Sequence, residues 1–398
     1  MADALKGHLR RPRGPCACRH GVPARAAPGL LAAALLALAL TLASCDSLFG
    51  PDAAGFRTYV MGFTDFPYGD DIEDVYDTWD LIRENGDLIV LHFDGGVPWP
   101  EAYAGTAYDP LYEDELTFKA FQLPETHALY LAVTPLSTFR DDLALYRGSE
   151  VNEPLPYPWN TYTFDSPEVI AAFSAHCLRM IDRFEPDYFA YAIEANMLYA
   201  SVPEDWDAFV TLAAATYTAV RDVHPELPVF VTLQADFFHA DEFGQSFAID
   251  DLLPYTDMIA VSSYPFSSGY PDADALPADH FTDLAGLAPQ KPFVVAETSW
   301  PAEDVGEPYH EEIPASEAGQ NTYVTRLLAD CDLLGAEFVC WFFVRDFDEL
   351  WEEVFEGTPD DWLPRIWRDT GLFAGDGTER DALATWRQNL ARPVSTGP

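Results

Sequence analysis

From Phe56 onward this chain alternates short apolar runs with segments of helical spacing, and that rhythm admits few folds. The run that constrains it most is Lys291 to Pro301, KPFVVAETSWP. Its core, Phe293 to Ala296, is apolar without interruption, the mark of a strand buried on both faces, as in parallel sheets covered by helices. Seven companions have the same character: Phe56–Thr64, Asp87–Phe93, Ala128–Val133, Asp187–Asn196, Val229–Leu233, Met258–Val261 and Phe338–Phe343. Between them lie helical patterns. Asp70–Asn85 is stopped by Gly86, and Ser166–Phe184 opens with a Ser cap and Pro167 at the first position. Trp206–Val223 ends before Pro225, and Gln320–Leu334 follows the seventh run. Eight strands alternating with helices, with no repeat beyond the alternation, predict an α/β fold: a (β/α)8 TIM barrel, one domain over residues 56–398.

Such a barrel keeps its chemistry where strands emerge into the mouth. Glu297 stands there on the seventh run, directly after Ala296. A lone strand-end glutamate is more often structural than catalytic, but Glu194 ends the fourth run in the same way. The interval between them is about three βα units of roughly 30 to 40 residues, which places them on strands four and seven of one mouth. Other strand-end residues suit a sugar, which offers hydroxyls at its rim and C–H faces for aromatic stacking. His92, Asp94 and Trp99 follow the second strand; Asn196 follows Glu194; Asp236 follows the fifth strand. Tyr264 follows the sixth, Trp300 the seventh, and Trp341 lies within the eighth. His92 read alone is equally a buried, hydrogen-bonded imidazole, and Tyr264 equally a core tyrosine. The segment Arg140–Thr163, rich in Tyr, Pro and Trp, reads as a mouth loop.

Charge narrows the partners. The 398 residues carry a net charge of −44. Lys6, Lys119 and Lys291 are the only lysines, so nucleic acid, which needs clustered cations, is excluded. Six of the 22 basic residues precede Ser44. They introduce an apolar stretch, Leu30–Ala43, too short for the ~20 residues of a membrane-spanning helix but suited to a signal-peptide core. Residues 1–44 are therefore expected to be a leader and 45–55 a short linker. Leu42-Ala43-Ser44-Cys45 resembles a bacterial lipobox, which implies lipidation of Cys45. The expectation is an exported lipoprotein, tied to a membrane only by palmitate-type lipid, on a periplasmic or cell-surface face. Cys177, Cys331 and Cys340 remain; three is odd, and their apolar settings favour burial. No spacing suggests a metal site, and no cofactor is expected.

Three stretches carry a family likeness: DMIAVSSYPF from Asp257, VVAETSWP from Val294, and Gly319-Gln320 opening a helix that leads to Cys340-Trp341-Phe342. With Thr370-Gly371-Leu372-Phe373 near the end, they make the chain resemble retaining glycoside hydrolases of clan A, most of all family 53, the endo-β-1,4-galactanases. The resemblance implies Glu297 as nucleophile, Glu194 as acid/base, Tyr264 as hydrogen-bond donor to the nucleophile and Trp341 as floor of the sugar site. One position departs: the clan usually has Asn directly before the acid/base, and here it is Ile193. The expected function is retaining hydrolysis of a β-linked polysaccharide or oligosaccharide by a monomer. The competing reading is a carbohydrate-binding lipoprotein with a degenerate site.

Overall fold

The computed structural model describes residues 55–240, 245–309 and 312–395. Cys45, the linker before Gly55 and the leader lie outside the described residues. Eight strands, β1 (Val60–Thr64), β2 (Leu88–Phe93), β3 (Ala128–Val133), β4 (Tyr188–Ala192), β5 (Val229–Gln234), β6 (Ile259–Ser263), β7 (Phe293–Thr298) and β8 (Phe338–Trp341), pair in sequence order, and β8 returns to β1. All pairs are parallel, and the sheet is a closed barrel with helices between the strands. The (β/α)8 expectation from the sequence is therefore met, and each apolar run is a strand.

Parallel strands buried on both faces need two sets of apolar side chains, and period-two alternation supplies them. Leu88 and Val90, Tyr130 and Ala132, Val294 and Ala296, and Phe338 and Cys340 point into the barrel, where they pack with Ala190, Ile193, Phe230, Met258 and Ala260. Tyr130 fills the centre, its ring 4.9 Å from that of Phe338 and 5.6 Å from that of Phe230. The intervening residues, Ile89, Leu91, Leu131 and Val295 among them, face the helical layer. Cys177, Cys331 and Cys340 are all buried free thiols. Among the described residues no helix is long and apolar enough to cross a membrane.

The lower rim has a repeated device. Asp87 and Asp187 stand immediately before β2 and β4, and Asp257 two residues before β6. Each donates its backbone N–H to a carbonyl of the preceding strand and accepts, on its carboxylate, the N–H of that same residue. The partners are Met61 (2.9 and 2.8 Å), Leu129 (2.9 and 2.9 Å) and Val229 (2.8 and 2.9 Å). Before β8 stands Glu337, which keeps the backbone half, donating to Phe293 O at 3.1 Å. These reciprocal pairs set the register from below, and the register decides which side chains reach the mouth.

Asp257 also accepts the Tyr217 hydroxyl at 2.6 Å. Asp257→Ala leaves the Val229 N–H without its acceptor and is expected to lower stability by about 1–3 kcal/mol. Asp250→Ala, which removes an equal charge from an exposed position, is expected to change it by less than about 0.5 kcal/mol. Urea denaturation midpoints of the two variants check this.

Candidate active site

At the upper rim the alternation breaks on the two strands that carry the carboxylates. Between β4 and β5 the register shifts at Ala190/Ala192, so Tyr191 and Ala192 both face outward and Ile193 turns back into the barrel. Between β6 and β7, Val261 pairs with Val295 and Ser262 with Glu297, leaving Ala296 as the extra residue. Strict alternation after Ala296 would aim Glu297 at the helices; the bulge turns it into the mouth, as bulges beside active sites commonly do.

Glu297 is 4% exposed and is held by two donors. His92 Nε2 lies 2.8 Å from Oε1, and the Tyr264 hydroxyl donates to Oε2 at 3.1 Å. Burial alone would push the His92 imidazole down, but the charge of Glu297 and the hydrogen bond to it, with help from Asp94, outweigh it and raise it above its ordinary 6.5. Tyr264 is itself positioned from behind: its backbone N–H donates to Asp236 Oδ2 at 2.8 Å. Asp236 also receives the Gln234 amide at 3.0 Å, and burial lifts its carboxyl to about 6 against those two hydrogen bonds.

Glu194 has a left-handed backbone, with φ of 51°, and its N–H donates to Thr232 Oγ1 at 2.8 Å. Its carboxylate stands 3.6 Å from Arg140 Nε. Burial first, and then the charge of Glu297, raise it from 4.5 to about 7, while Arg140 and His92 pull the other way. Arg140 also has a left-handed backbone, at φ 57°. Its guanidinium donates to the carbonyls of Ser137 and Thr138 at 3.0 and 3.3 Å and lies 3.9 Å from Asp94, which is in turn 3.9 Å from His92 Nδ1. Acidic and basic groups thus alternate from Glu297 through His92, Asp94 and Arg140 to Glu194.

These residues line one cavity of about 580 Å³. Of the residues expected from the sequence, His92, Asp94, Glu194, Tyr264 and Glu297 meet in it; Trp99, Asn196, Asp236, Trp300 and Trp341 do not line it. Trp99 is buried, with its indole N–H on Ala144 O at 2.9 Å. Trp300 stacks on Tyr323 at 4.8 Å. Trp341, expected as the floor of the site, is wholly buried and donates to Thr370 O at 2.9 Å. It points out of the barrel, and its neighbour Phe342 takes the mouth position, 5.8 Å from the His92 ring. Asn196 is spent on structure, exchanging hydrogen bonds with the Gln234 backbone at 2.7 and 3.0 Å and donating to Gln245 at 2.7 Å. Asp236 sits beneath the cavity, behind Tyr264.

Among the contributors outside the sequence-based set, two stand out. Arg140 is one, though its segment was read as a mouth loop. The other is the stretch after β8, which lines the cavity with Phe343, Phe347, Leu350, Phe355, Trp362 and Trp367. Six Phe or Trp residues within 343–367 were the available signal. Among the described residues no group of three or more His, Cys, Asp or Glu is arranged to hold a metal ion.

No known family model matches the sequence and no curated protein matches it. Solved structures share its fold at low identity. The exo-β-1,4-mannosidase Op5Man5 from Opitutaceae bacterium strain TAV5 is 15% identical with a TM-score of 0.60, over 86% of this chain and 61% of that one. The chain thus spans less than two thirds of that protein. A GH5_18 enzyme from Streptomyces cattleya, solved with GlcNAc, is 15% identical at TM-score 0.59, over 85% of this chain and 83% of that one. The GH53 catalytic domain of Ignisphaera aggregans is 18% identical at 0.52, over 84% and 92%. The fold is that of barrel glycoside hydrolases.

The raised Glu194 has a consequence for stability. Between pH 4.5 and about 7 the folded chain holds a proton at Glu194 that the unfolded chain has lost, so stability falls as pH rises through that window. Glu194→Gln cannot ionise. It is expected to exceed the parent in stability at pH 8 by about 3 kcal/mol, with the gain gone below pH 4.5. Calorimetric midpoints at pH 4 and pH 8 check this.

Proposed function

We propose that the chain is a retaining glycoside hydrolase of clan A acting on a β-linked sugar, with Glu297 as nucleophile and Glu194 as acid/base. The observation that carries this reading is the contrast between two buried carboxyls in one cavity: Glu194 is raised to about 7, and Glu297 is the focus of two hydrogen-bond donors. Paired carboxyls with unlike environments are how glycosidases separate an acid from a nucleophile. The shared fold with barrel glycoside hydrolases supports the reading.

In the proposed first step a Glu297 oxygen attacks the anomeric carbon, the glycosidic C–O bond breaks, and the leaving oxygen takes the proton from Glu194. In the second, Glu194 removes a proton from water as that water's oxygen replaces Glu297. His92 and Tyr264 orient the nucleophile and take up the charge that returns to it on departure. Asp94 and Arg140, polar groups beside Glu194, are the candidates for the hydroxyl contacts that Ile193, packed inside the barrel, does not make. Affinity to family 53 within the clan is part of the proposal, resting on the strand-six to strand-eight motifs. So is export as a lipoprotein through Cys45; loss of fatty-acid labelling in Cys45→Ser tests it.

Incubating the soluble chain from residue 46 with 2-deoxy-2-fluoro glycosyl fluorides of several sugars is expected to add one glycosyl mass to a peptide containing Glu297, with none in Glu297→Gln. No adduct from any sugar, together with measurable glycan binding, moves the assignment to a carbohydrate-binding protein.

The alkaline limb of kcat/KM against pH reports the acid in the free enzyme and is expected near 7. Arg140 lowers that acid, so Arg140→Met is expected to shift the limb to higher pH by of order one unit. An unmoved limb assigns the acid elsewhere.

A further inference from the structure

The cavity has two chemically different halves. Around the carboxylates it carries the polar groups His92, Asp94, Arg140, Gln234, Tyr264 and the Ser267–Ser268 turn, with Phe66 and Phe342 against the His92 ring. A monosaccharide needs such a surround, since each of its hydroxyls must exchange water for a partner. The rest of the lining is mostly aromatic and aliphatic, although Tyr309, Trp362 and Trp367 carry an O–H or N–H. Phe66, Phe343, Phe347 and Phe355 form a connected aromatic wall, with ring centroids 5.7, 4.7 and 6.3 Å apart along it. A second sugar along that wall would find few partners for its hydroxyls, and each hydroxyl left without one costs more than stacking on one face returns.

Two loops also meet at the mouth. Phe139, from the segment between β3 and β4, stacks on Trp362 of the 343–367 stretch, with centroids 6.5 Å apart and planes 19° from parallel. Both line the cavity. A polysaccharide cut at an internal bond needs a groove open at both ends, whereas a cavity of about 580 Å³ flanked by such a stack suits a compact ligand of drug-like size. The stack adjoins the proposed acid: Phe139 precedes Arg140, whose guanidinium faces Glu194, and Met197, three residues after Glu194, lines the same cavity. The group on that side of the cleaved bond is the one Glu194 would protonate as it leaves.

Resting on the reading of the site as a glycosidase, we infer that the substrate is a β-glycoside of a single sugar with an apolar alkyl or aryl leaving group, released as the free alcohol or phenol, rather than a polysaccharide. The step balances as ordinary hydrolysis: the C–O bond breaks, the leaving oxygen gains the Glu194 proton, and water supplies the hydroxyl of the freed sugar and restores that proton.

The test uses the soluble chain from residue 46 with methyl and octyl β-D-glucosides, galactosides and mannosides below their micellar concentrations, alongside the β-1,4-linked disaccharide of each sugar. For the sugar that is turned over, kcat/KM is expected to be at least about 30-fold higher for the octyl than the methyl glycoside and higher than for the disaccharide. Phe139→Ala and Trp362→Ala are expected to bring the octyl-to-methyl ratio toward one. Equal rates for methyl and octyl, or faster cleavage of the disaccharide, overturn this inference and leave the glycosidase standing. If no glycoside is cleaved and no fluoro-sugar adduct forms, the glycosidase reading fails instead, and calorimetric binding decides the chamber. Octyl glycosides binding at least 30-fold more tightly than methyl ones uphold it as a site for an amphiphilic glycoside; equal binding overturns it.

Discussion

Two carboxylates in one water-poor cavity repel each other, and the upper half of this barrel is arranged around that fact. Such a pair cannot both be ionised at low cost. Here the asymmetry is built in: His92 and Tyr264 both serve Glu297, and Glu194 is left with burial and its neighbour's charge pushing it toward the protonated form. Arg140 is the counterweight, near enough to Glu194 to keep its proton exchangeable close to neutrality. The alternation of acidic and basic groups from Glu297 to Glu194 is what permits so many ionisable groups in one small space.

Each member of that chain depends on the backbone beneath it. Tyr264 reaches Glu297 because Asp236 holds its N–H, and Asp236 is steadied by Gln234, whose own N–H is held by Asn196. Asn196 and Asp236 thus belong to the support of the mouth rather than its surface, although both stand at strand ends where the sequence pattern suggests contact with a ligand. The rim aspartates do the same work from below, fixing the stagger of β1–β2, β3–β4 and β5–β6.

Most of the barrel could be read from the sequence because its governing constraint is local: an apolar run between helical patterns is a strand whatever its neighbours do. The carboxylates were legible for the same reason, as polar residues ending such runs. The aromatic residues were not. In a strand adjacent residues face opposite ways, so a shift of one position exchanges core for mouth. Trp341 and Phe342 differ by one such step, and their apolar character gives no hint of which faces in. Bulges compound the problem, since those at Tyr191 and Ala296 invert the parity just before the functional residue and arise from pairing with another strand. Arg140 lies in a loop, and the stretch from 343 to 367 holds only short helical pieces such as Trp351–Phe355 and Trp362–Arg365, too brief for a period to be read.

The backbone at the mouth adds an independent argument for what matters there. Four non-glycine residues among those described take a positive φ: Arg140, Asn152, Glu185 and Glu194. An L-residue in that region costs about 1–2 kcal/mol relative to a relaxed conformation, and glycine would remove most of the cost. Asn is among the residues that tolerate it, and Glu185 closes the helix Pro167–Phe184, where a left-handed cap is ordinary. Arg140 and Glu194 have neither explanation, yet they face each other across 3.6 Å. Strained residues of this kind persist where the surrounding structure over-determines them, and they gather at sites of function. The Thr232 hydroxyl under Glu194 and the Ser137 carbonyl, which takes both the backbone N–H and the guanidinium of Arg140, supply that over-determination. Glycine at either place would ease the backbone and remove the charge, so the strain is tolerated for the sake of a cation and a carboxyl held in contact.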